Sequence, residues 1–264
     1  GSIDDINRIK RDHICATGDS LIHRNKHLVI SGSFPSNIGK YINDIGAFER
    51  INQSYKNKIK TKKKNSKLEL LYKNERSIYT RYLDTQQVVL LLGKATINFD
   101  NEADIMLRLL SCYLGYGMSS LLFRVLREKY GVVYEAGIYH PIRENQTPFI
   151  MHASTTQDKA VLTFKLLKEC WENVIESEIP SEDLELLKIK YQGQMAHSLQ
   201  SISQRAEHKA HLLGLGLSKN HDKEILLRLD KISSKEIKDA ANIYLKKPSL
   251  SICSNNEVIH KISK

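Results

Sequence analysis

The sequence predicts an α+β domain in which helices cover one face of a mixed, largely antiparallel sheet. Two observations carry this prediction. From residue 76 onward the chain reads as two strands, two helices, two more strands, several helices and a closing strand, which is an order typical of α+β domains. The 264 residues are 41% hydrophobic and 27% charged, an ordinary globular composition with enough bulk for one large domain or two small ones.

The composition also excludes several classes of protein. No run approaches the roughly 18 apolar residues that a membrane span needs, so no membrane span is expected. Aromatic residues make up 7% of the chain, with a single Trp, which argues against a stacking surface for bases or sugars. The four cysteines form no Cys-x-x-Cys pair, so neither a zinc knuckle nor a disulfide framework is indicated. We therefore expect a soluble protein, with an intracellular, reducing compartment favoured.

Residues 1–48 predict a short helix–strand–helix unit. Ser2 is placed to cap a first helix, which opens with two aspartates and ends at Gly18. Residues 27–34 read as a strand, and residues 35–48 as a second helix. Chains this short rarely bury a core of their own. The unit is therefore expected to be the tail of a preceding domain, or to dock on something else.

Residues 49–75 predict a solvated, Lys-rich linker. Within this segment, residues 56–67 contain seven lysines and no acid, so most of the formal net charge of +10 lies here. Such runs are too polar to pack and are typical of linkers. The alternative is binding of nucleic acid or another acidic surface, but no aromatic residues are interleaved and no nucleic-acid-binding module is recognised. We therefore expect no nucleic-acid partner.

Residues 76–264 predict a C-terminal domain that can bury its own core. Its second strand contains the run Val-Val-Leu-Leu-Leu, which is typical of a buried strand. The third and fourth strands are expected to form a hairpin around a polar turn. The predicted strands are 76–83, 87–93, 132–142, 148–154 and 249–254. The predicted helices are 101–114, 119–130, 157–177, 181–216 with possible breaks, 221–230 and 233–246.

Two pairs of histidines have the spacing of metal ligands, but neither predicts a metal site. His23 and His27 are four residues apart, as on one face of a helix. The residue before His27 is Lys26, whose ammonium would repel a metal and cannot act as the general base of a hydrolytic zinc site. His208 and His211 lie three apart on a helical stretch without a third ligand. We therefore expect no metal ligand in this chain.

The most informative stretch runs from Leu114 to Tyr134. Gly115 and Gly117 permit a tight turn with close backbone approach, and Ser119 can cap the helix that follows. Arg127 in the last turn of that helix and Tyr134 early in the next strand can converge at one end of the sheet. Both side chains can donate hydrogen bonds to a peptide carbonyl or a developing oxyanion. An Arg near a helix C-terminus and a strand Tyr also have purely structural uses, and the residues alone favour those.

The run GYGMSSLLFRVLREKYGVVYEAG resembles the C-terminal-half signature of the pitrilysin/insulinase metallopeptidases. These are inverted zincins, and they include mitochondrial processing peptidase. The resemblance covers nearly the whole chain, since its later helical segments follow the family's order. The front unit, through its HLVISGSF run, is similar to the end of a preceding homologous domain of the family. The spacing of Arg127 and Tyr134 is the most specific part of the resemblance.

The resemblance implies one half of a clamshell-shaped peptidase that hydrolyses peptide bonds. One half holds zinc through a His-x-x-Glu-His helix and a distal Glu. The other half supplies an Arg and a Tyr that hold the substrate backbone, and Arg127 and Tyr134 match these positions. Gly115, Gly117 and Ser119 would form its binding loop. The implied partners are an extended peptide substrate and a zinc-bearing half, either a homologous subunit in a heterodimer or an N-terminal half of the same protein.

This chain departs from the family pattern because it contains no His-x-x-Glu-His motif. The zinc half is then expected on a preceding portion of the protein, on another subunit, or nowhere. We expect no cofactor in this chain and zinc on the partner half. The chain should be inactive alone and should supply its Arg and Tyr to a site completed by that half. The alternative is a catalytically inert structural or assembly subunit with the same fold.

Overall fold

The computed structural model describes residues 2–22, 27–44, 77–218 and 220–263. The predicted Lys-rich linker lies outside these residues. The strands are β1 (Ile78–Tyr82), β2 (Gln87–Ala95), β3 (Glu135–Tyr139), β4 (Pro148–Thr156) and β5 (Ser249–Ser254). The α-helices are α1 (Ile3–Asn7), α2 (Arg11–Ile22), α3 (Ile38–Asp44), α4 (Asp104–Gly115), α5 (Ala160–Glu176), α6 (Ser181–His197), α7 (Ile202–Gly214), α8 (His221–Leu229), α9 (Ser234–Tyr244) and α10 (Asn256–Ser263). A π-helix spans Phe123–Lys129. Across the described ranges, no helix is both long enough and apolar enough for a membrane crossing.

The chain divides into two compact units. The smaller unit comprises Gly1–Leu70 and Leu199–Lys219, and therefore contains α1, α2, α3 and α7. The larger unit comprises Leu71–Ser198 and Asn220–Lys264. It contains the whole sheet, the π-helix and the remaining α-helices. All five residues that the sequence nominates for function lie in the larger unit.

The smaller unit corrects two predictions. The first helix starts as expected, because Ser2 and Asp5 form a reciprocal capping box. It ends at Asn7 rather than Gly18, and a second helix begins at Arg11. The imidazole of His13 accepts a hydrogen bond from the backbone N–H of Lys10 at 3.3 Å, which caps this new start. Gly18 lies inside α2.

The predicted strand over residues 27–34 is also wrong. Residues 27–31 have no regular secondary structure, and the chain bends at Gly32 with φ of +129°. A strand is stable only when its backbone groups pair with a neighbour. The described part of the smaller unit contains no strand that could provide this pairing. The strand-like sequence of residues 27–34 therefore did not determine their conformation.

The larger unit is built on a five-stranded sheet with the strand order β1-β5-β2-β4-β3. Strand β2 is antiparallel to both β4 and β5, and β3 is antiparallel to β4. Only β1 and β5 are parallel within this sheet. This arrangement confirms the predicted mixed, largely antiparallel sheet and the hairpin of β3 and β4.

One face of the sheet carries the core. Along β2, Val88, Leu90 and Leu92 are buried, while the residues between them are half-buried. Their cross-strand partners on the same face include Met151 and Ile252, which are also buried. Helices α4 and α5 pack on the sheet, and α9 contacts both of them, as the α+β prediction requires. Burial of these large apolar side chains is the main stabilising contribution to the unit.

The largest core side chain ties helix α5 to the end of α9. Trp171 is 1% exposed, and its indole N–H donates to the carbonyl oxygen of Leu245 at 3.0 Å. The indole also meets the ring of Phe149 edge-on, with 5.8 Å between the centroids. This geometry is favourable for aromatic pairs. The single Trp of the chain is therefore a core residue and not part of a binding surface.

A buried ionic cluster lies where helix α4 begins. Asp104 is 6% exposed, and Arg108 donates to its carboxylate through Nε at 2.5 Å. The carboxylate also lies 3.6 Å from Nε2 of His140, whose other ring nitrogen is 3.2 Å from the carbonyl oxygen of Pro148. Burial acts to raise the pKa of Asp104, but His140 and Arg108 outweigh it and hold this pKa below its ordinary value of 3.8.

The cluster predicts a specific dependence of stability on pH. A carboxyl whose pKa is lowered by folding stabilises the protein above its unfolded pKa, and this contribution is lost as the pH falls through the folded pKa. The free energy of unfolding of Asp104→Asn should therefore differ most from wild type near neutral pH. The difference should shrink as the pH falls below 3.8. Urea unfolding at several pH values measures it, with the exposed Asp100→Asn as control. A difference that does not change with pH would contradict the prediction.

Candidate functional site

The candidate site begins at the turn that follows helix α4. Gly115 ends the helix, and the N–H of Tyr116 donates to the carbonyl of Cys112 at 3.1 Å. A Cβ at Gly115 would lie 2.8 Å from the backbone nitrogen of Ile138 in β3, so only glycine allows this approach. Gly117 has a φ of +72°, which is also a glycine conformation. Gly117 therefore permits the turn, and Gly115 permits the close approach of β3.

The turn leads into a helix whose geometry differs from the predicted α-helix. Over Phe123–Lys129 it is a π-helix, a rare form that is frequent at functional sites. No side-chain hydrogen bond caps the start of this helix. Ser119, the predicted cap, is exposed, while the next residue, Ser120, is buried and accepts the N–H of Arg124 at 3.0 Å through its carbonyl.

The π-helix ends in a reversal that is tightly held. Gly131 has a φ of +58°, and the N–H of Val132 returns to the carbonyl of Leu126 at 2.9 Å. The carbonyl of Val132 in turn accepts a hydrogen bond from the buried hydroxyl of Thr155, which lies 3.3 Å from the buried hydroxyl of Thr163. These contacts join the reversal to β4 and α5. The backbone on either side of it is therefore fixed by the core.

Arg127 and Tyr134 lie on the two sides of this reversal. Arg127 is exposed in the last turn of the π-helix, with its guanidinium carbon 5.3 Å from the ring centroid of Phe123. Tyr134 is 68% exposed, and its backbone N–H donates to the carbonyl of Ser154 at 2.9 Å. Within the described ranges, neither side chain forms a hydrogen bond or an ion pair. Their donors are therefore available to a ligand.

A second group of charged side chains adjoins the glycine turn. The guanidinium of Arg124 lies 3.8 Å from the carboxylate of Asp183 in α6, and the hydroxyl of Tyr113 is 3.5 Å from the same carboxylate oxygen. Burial, together with the charge of Asp183, raises the pKa of Tyr113. Tyr113 therefore keeps its proton, and Asp183 is the partner of Arg124.

Lys190, two turns along α6 from Asp183, lies directly against the turn. Its Cε is 3.9 Å from the position that a Cβ of Gly117 would occupy, and its ammonium is 5.9 Å from the ring centroid of Tyr116. Burial lowers the pKa of Lys190, and the nearby charge of Arg124 acts in the same direction. We call Lys190, Arg124 and Tyr116 the turn-side cluster.

The turn-side cluster was not identified from the sequence. Lys190 and the turn are brought together only by the packing of α4 on α6, which is a tertiary contact without a local signal. The spacing of Asp183, Leu187 and Lys190 does predict one helix face. It does not indicate which surface that face meets.

The zinc chemistry of the resembled family requires a set of ligands around one metal ion. No group of three or more His, Cys, Asp or Glu side chains is arranged to hold a metal in the described residues. His208 and His211 lie on α7, while His23 lies outside the described residues. A zinc site needs three or four such ligands around one point. The donor set present here therefore does not fit a zinc ion.

Two curated proteins illustrate the sequence relationships of the chain. It is 38% identical over 86 residues to an uncharacterized zinc protease of Rickettsia felis, covering 32% of the chain and 21% of that protein. It is 28% identical over 163 residues to the uncharacterized zinc protease YmxG of Bacillus subtilis, covering 61% of the chain and 40% of that protein. In both cases the match spans less than half of the relative's length.

A solved structure supports the fold. The crystal structure of a peptidase M16 inactive domain from Pseudomonas fluorescens is similar to the chain with a TM-score of 0.63 and 17% sequence identity. The match covers 69% of this chain and 44% of that one. At this level of identity it shows the shared fold alone. The sequence profile described as "Peptidase M16 inactive domain" matches residues 25–191, a range that includes the glycine turn, Arg127, Tyr134 and Lys190, and the chain therefore belongs to this family.

Proposed function

We propose that this chain is the non-zinc, substrate-binding half of a zinc-dependent metalloendopeptidase. The observation that carries the proposal is the pair of exposed side chains, Arg127 and Tyr134, with uncommitted donors on a rigid reversal. The family match is consistent with a half that has no zinc site of its own. The proposed substrate is an extended peptide, and the proposed partner is a zinc-bearing homologous subunit or N-terminal half.

The chemistry of the pair suits peptide hydrolysis. When water adds to a peptide carbonyl, negative charge develops on the carbonyl oxygen. Positioned donors that meet this charge stabilise the transition state more than the ground state. Arg127 donates through a charged, planar guanidinium, and Tyr134 donates through its hydroxyl. The zinc-bearing half would supply the activated water, so this chain needs no metal ligands for its role.

The rigid reversal supports the positioning of these donors. Fixed donors need no reorganisation when charge develops, which makes them more effective than mobile ones. The hydroxyl of Thr155 donates to the carbonyl of Val132, and the carbonyl of Ser154 in β4 accepts the N–H of Tyr134. The backbone that carries Tyr134 is therefore anchored on the core side. Its side chain remains exposed to solvent.

Reconstitution tests whether both halves are needed for peptide hydrolysis. The chain and its zinc-bearing half, purified separately, should each hydrolyse a quenched fluorescent peptide slowly or not at all. Their mixture should hydrolyse it with a rate that saturates at an equimolar ratio. Metal analysis of this chain alone should find substoichiometric zinc, because the described residues offer no ligand set. Full activity of the zinc-bearing half without this chain would contradict the proposal and would favour the inert assembly subunit.

A further inference from the structure

The turn-side cluster contains a cation whose charge is not matched. Arg124 is paired with Asp183. No carboxylate of the described residues is within ion-pair distance of Lys190, although several other lysines form such pairs. The thiol of Cys112 acts on the pKa of Lys190, but burial raises the pKa of this thiol to about 11. The thiol is neutral at physiological pH, so the described residues provide no counter-charge for the ammonium.

The surroundings of Lys190 form a small receptive surface. The side chain is half-buried, since its aliphatic stem lies against the glycine turn. Tyr116 is 38% exposed and Met118 is 75% exposed, so the turn presents apolar groups to solvent on both sides of Gly117. A side chain at position 117 would contact the stem of Lys190. Glycine at this position therefore leaves the approach to the lysine open.

The chemistry of this surface selects the class of ligand. A partly desolvated ammonium beside a second cation attracts an anion. One lysine with one already paired arginine is a weak site for phosphate, which is usually bound by several arginines or by backbone N–H groups. A single carboxylate matches the one unbalanced charge. The exposed Tyr116 and Met118 can cover the aliphatic part of a peptide that carries it.

Building on the proposed function, we propose that Lys190, next to Tyr116 and the glycine turn, is a specificity-determining residue that binds a carboxylate of the peptide substrate. The carboxylate is either a Glu or Asp side chain or the C-terminus of the peptide. In both cases the enzyme would prefer an acidic group at one fixed position relative to the scissile bond. This preference adds to main-chain recognition, which by itself is nearly independent of sequence.

Direct binding to the full chain tests the inference without the zinc-bearing half. Fluorescence anisotropy would compare labelled peptides that differ only in Glu against Gln at each position, and in a free against an amidated C-terminus. We expect one acidic peptide to bind about five-fold more tightly than its neutral match, as for a partly exposed charge pair. The pair of peptides that shows the preference identifies the source of the carboxylate.

Substitutions assign the preference to one residue. The affinity of the acidic peptide divided by that of its neutral match is the ratio that these variants test. Lys190→Met keeps the length of the stem and should abolish the five-fold ratio, while Lys190→Glu should invert it. The control is Lys168→Met on α5, which removes an equal charge from a lysine that already pairs with Glu172 and should leave the ratio intact. Thermal unfolding of each variant identifies any loss of folded protein.

The outcomes separate this inference from the proposed function. A ratio near one in the wild type, an unchanged ratio in Lys190→Met, or no measurable peptide binding would overturn the inference. A charge preference that depends on Lys190 would support it, even if reconstitution gave no hydrolysis. Conversely, if reconstitution succeeds but the ratio is near one, the proposed function stands and this inference fails.

Discussion

Arg127→Ala and Tyr134→Phe should each lower kcat/KM of the assembled peptidase by about 10²- to 10³-fold, which is the usual effect of removing one oxyanion donor. The loss should appear mainly in kcat, because these donors act on charge that develops only in the transition state. Both residues are exposed and form no hydrogen bond or ion pair through their side chains within the described ranges. Folding and assembly should therefore remain normal in both variants.

Neighbouring residues provide matched controls for this prediction. Lys129→Ala removes another cation from the same π-helix, and Tyr130→Phe removes another phenol hydroxyl that is partly exposed. Both controls should retain kcat/KM within about two-fold, as expected for surface substitutions away from a site. Arg127→Lys keeps the charge but loses the planar fork of donors, so it should recover only part of the activity. Unchanged kcat in Arg127→Ala and Tyr134→Phe would show that neither residue contacts the reacting carbonyl.

Gly115→Ala should reduce the free energy of unfolding by about 3 kcal/mol, at the upper end of the range for overpacking. The added Cβ would lie 2.8 Å from the backbone nitrogen of Ile138 and 3.0 Å from its Cγ1. Because backbone cannot rotate away as a flexible side chain can, α4 and β3 must separate. The same shift would move the glycine turn relative to Tyr134, so the variant should also lose peptidase activity. Chemical denaturation measures the first effect.

Gly193→Ala is the matched control for this substitution. Gly193 lies inside α6, and a Cβ there would have no atom within 4 Å other than the helix's own backbone and adjacent residues. Alanine favours the helix by about 0.5–1 kcal/mol over glycine, so this change should stabilise the protein. The two substitutions are chemically identical and should have opposite signs. If both variants lost stability, the loss in Gly115→Ala could not be attributed to the close approach of Ile138.

The elements that the sequence predicted well are those with strong local patterns and nearby partners. Strand β5 has the predicted bounds, Ser249–Ser254, since alternating apolar residues match the spacing of a half-buried strand. The hairpin of β3 and β4 was also predicted, and its two strands are close in the sequence. The break between α6 and α7 follows from a capping box formed by Ser201 and Gln204, a signal that is readable locally.

The elements that were missed depend on context. Residues 27–34 have the composition of a strand but no partner strand in the described part of their unit. The π-helix Phe123–Lys129 has the apolar pattern of an ordinary α-helix, so this pattern does not distinguish the two forms. Helix α10 was omitted although a cap is present, since the side chain of Asn255 accepts the N–H of Val258 at 3.0 Å.

The candidate site was predictable only in part. Arg127 and Tyr134 were identified through the family resemblance, because the residues alone favour structural roles. The need for glycine at position 115 could be seen only in the structure, because it arises where α4 comes close to Ile138 in a distant strand. Lys190 gave no signal, because the absence of a carboxylate partner among the described residues is evident only from the tertiary structure.

The position of β5 also constrains how the protein is made. This strand is near the C-terminus of the chain, yet it lies between β1 and β2 in the sheet. During translation β1 therefore has no neighbour in the sheet until residues 249–254 have left the ribosome. Pairings between such distant segments have a high contact order and form slowly. Chaperones that shield edge strands should consequently matter most for this sheet before β5 has been synthesised.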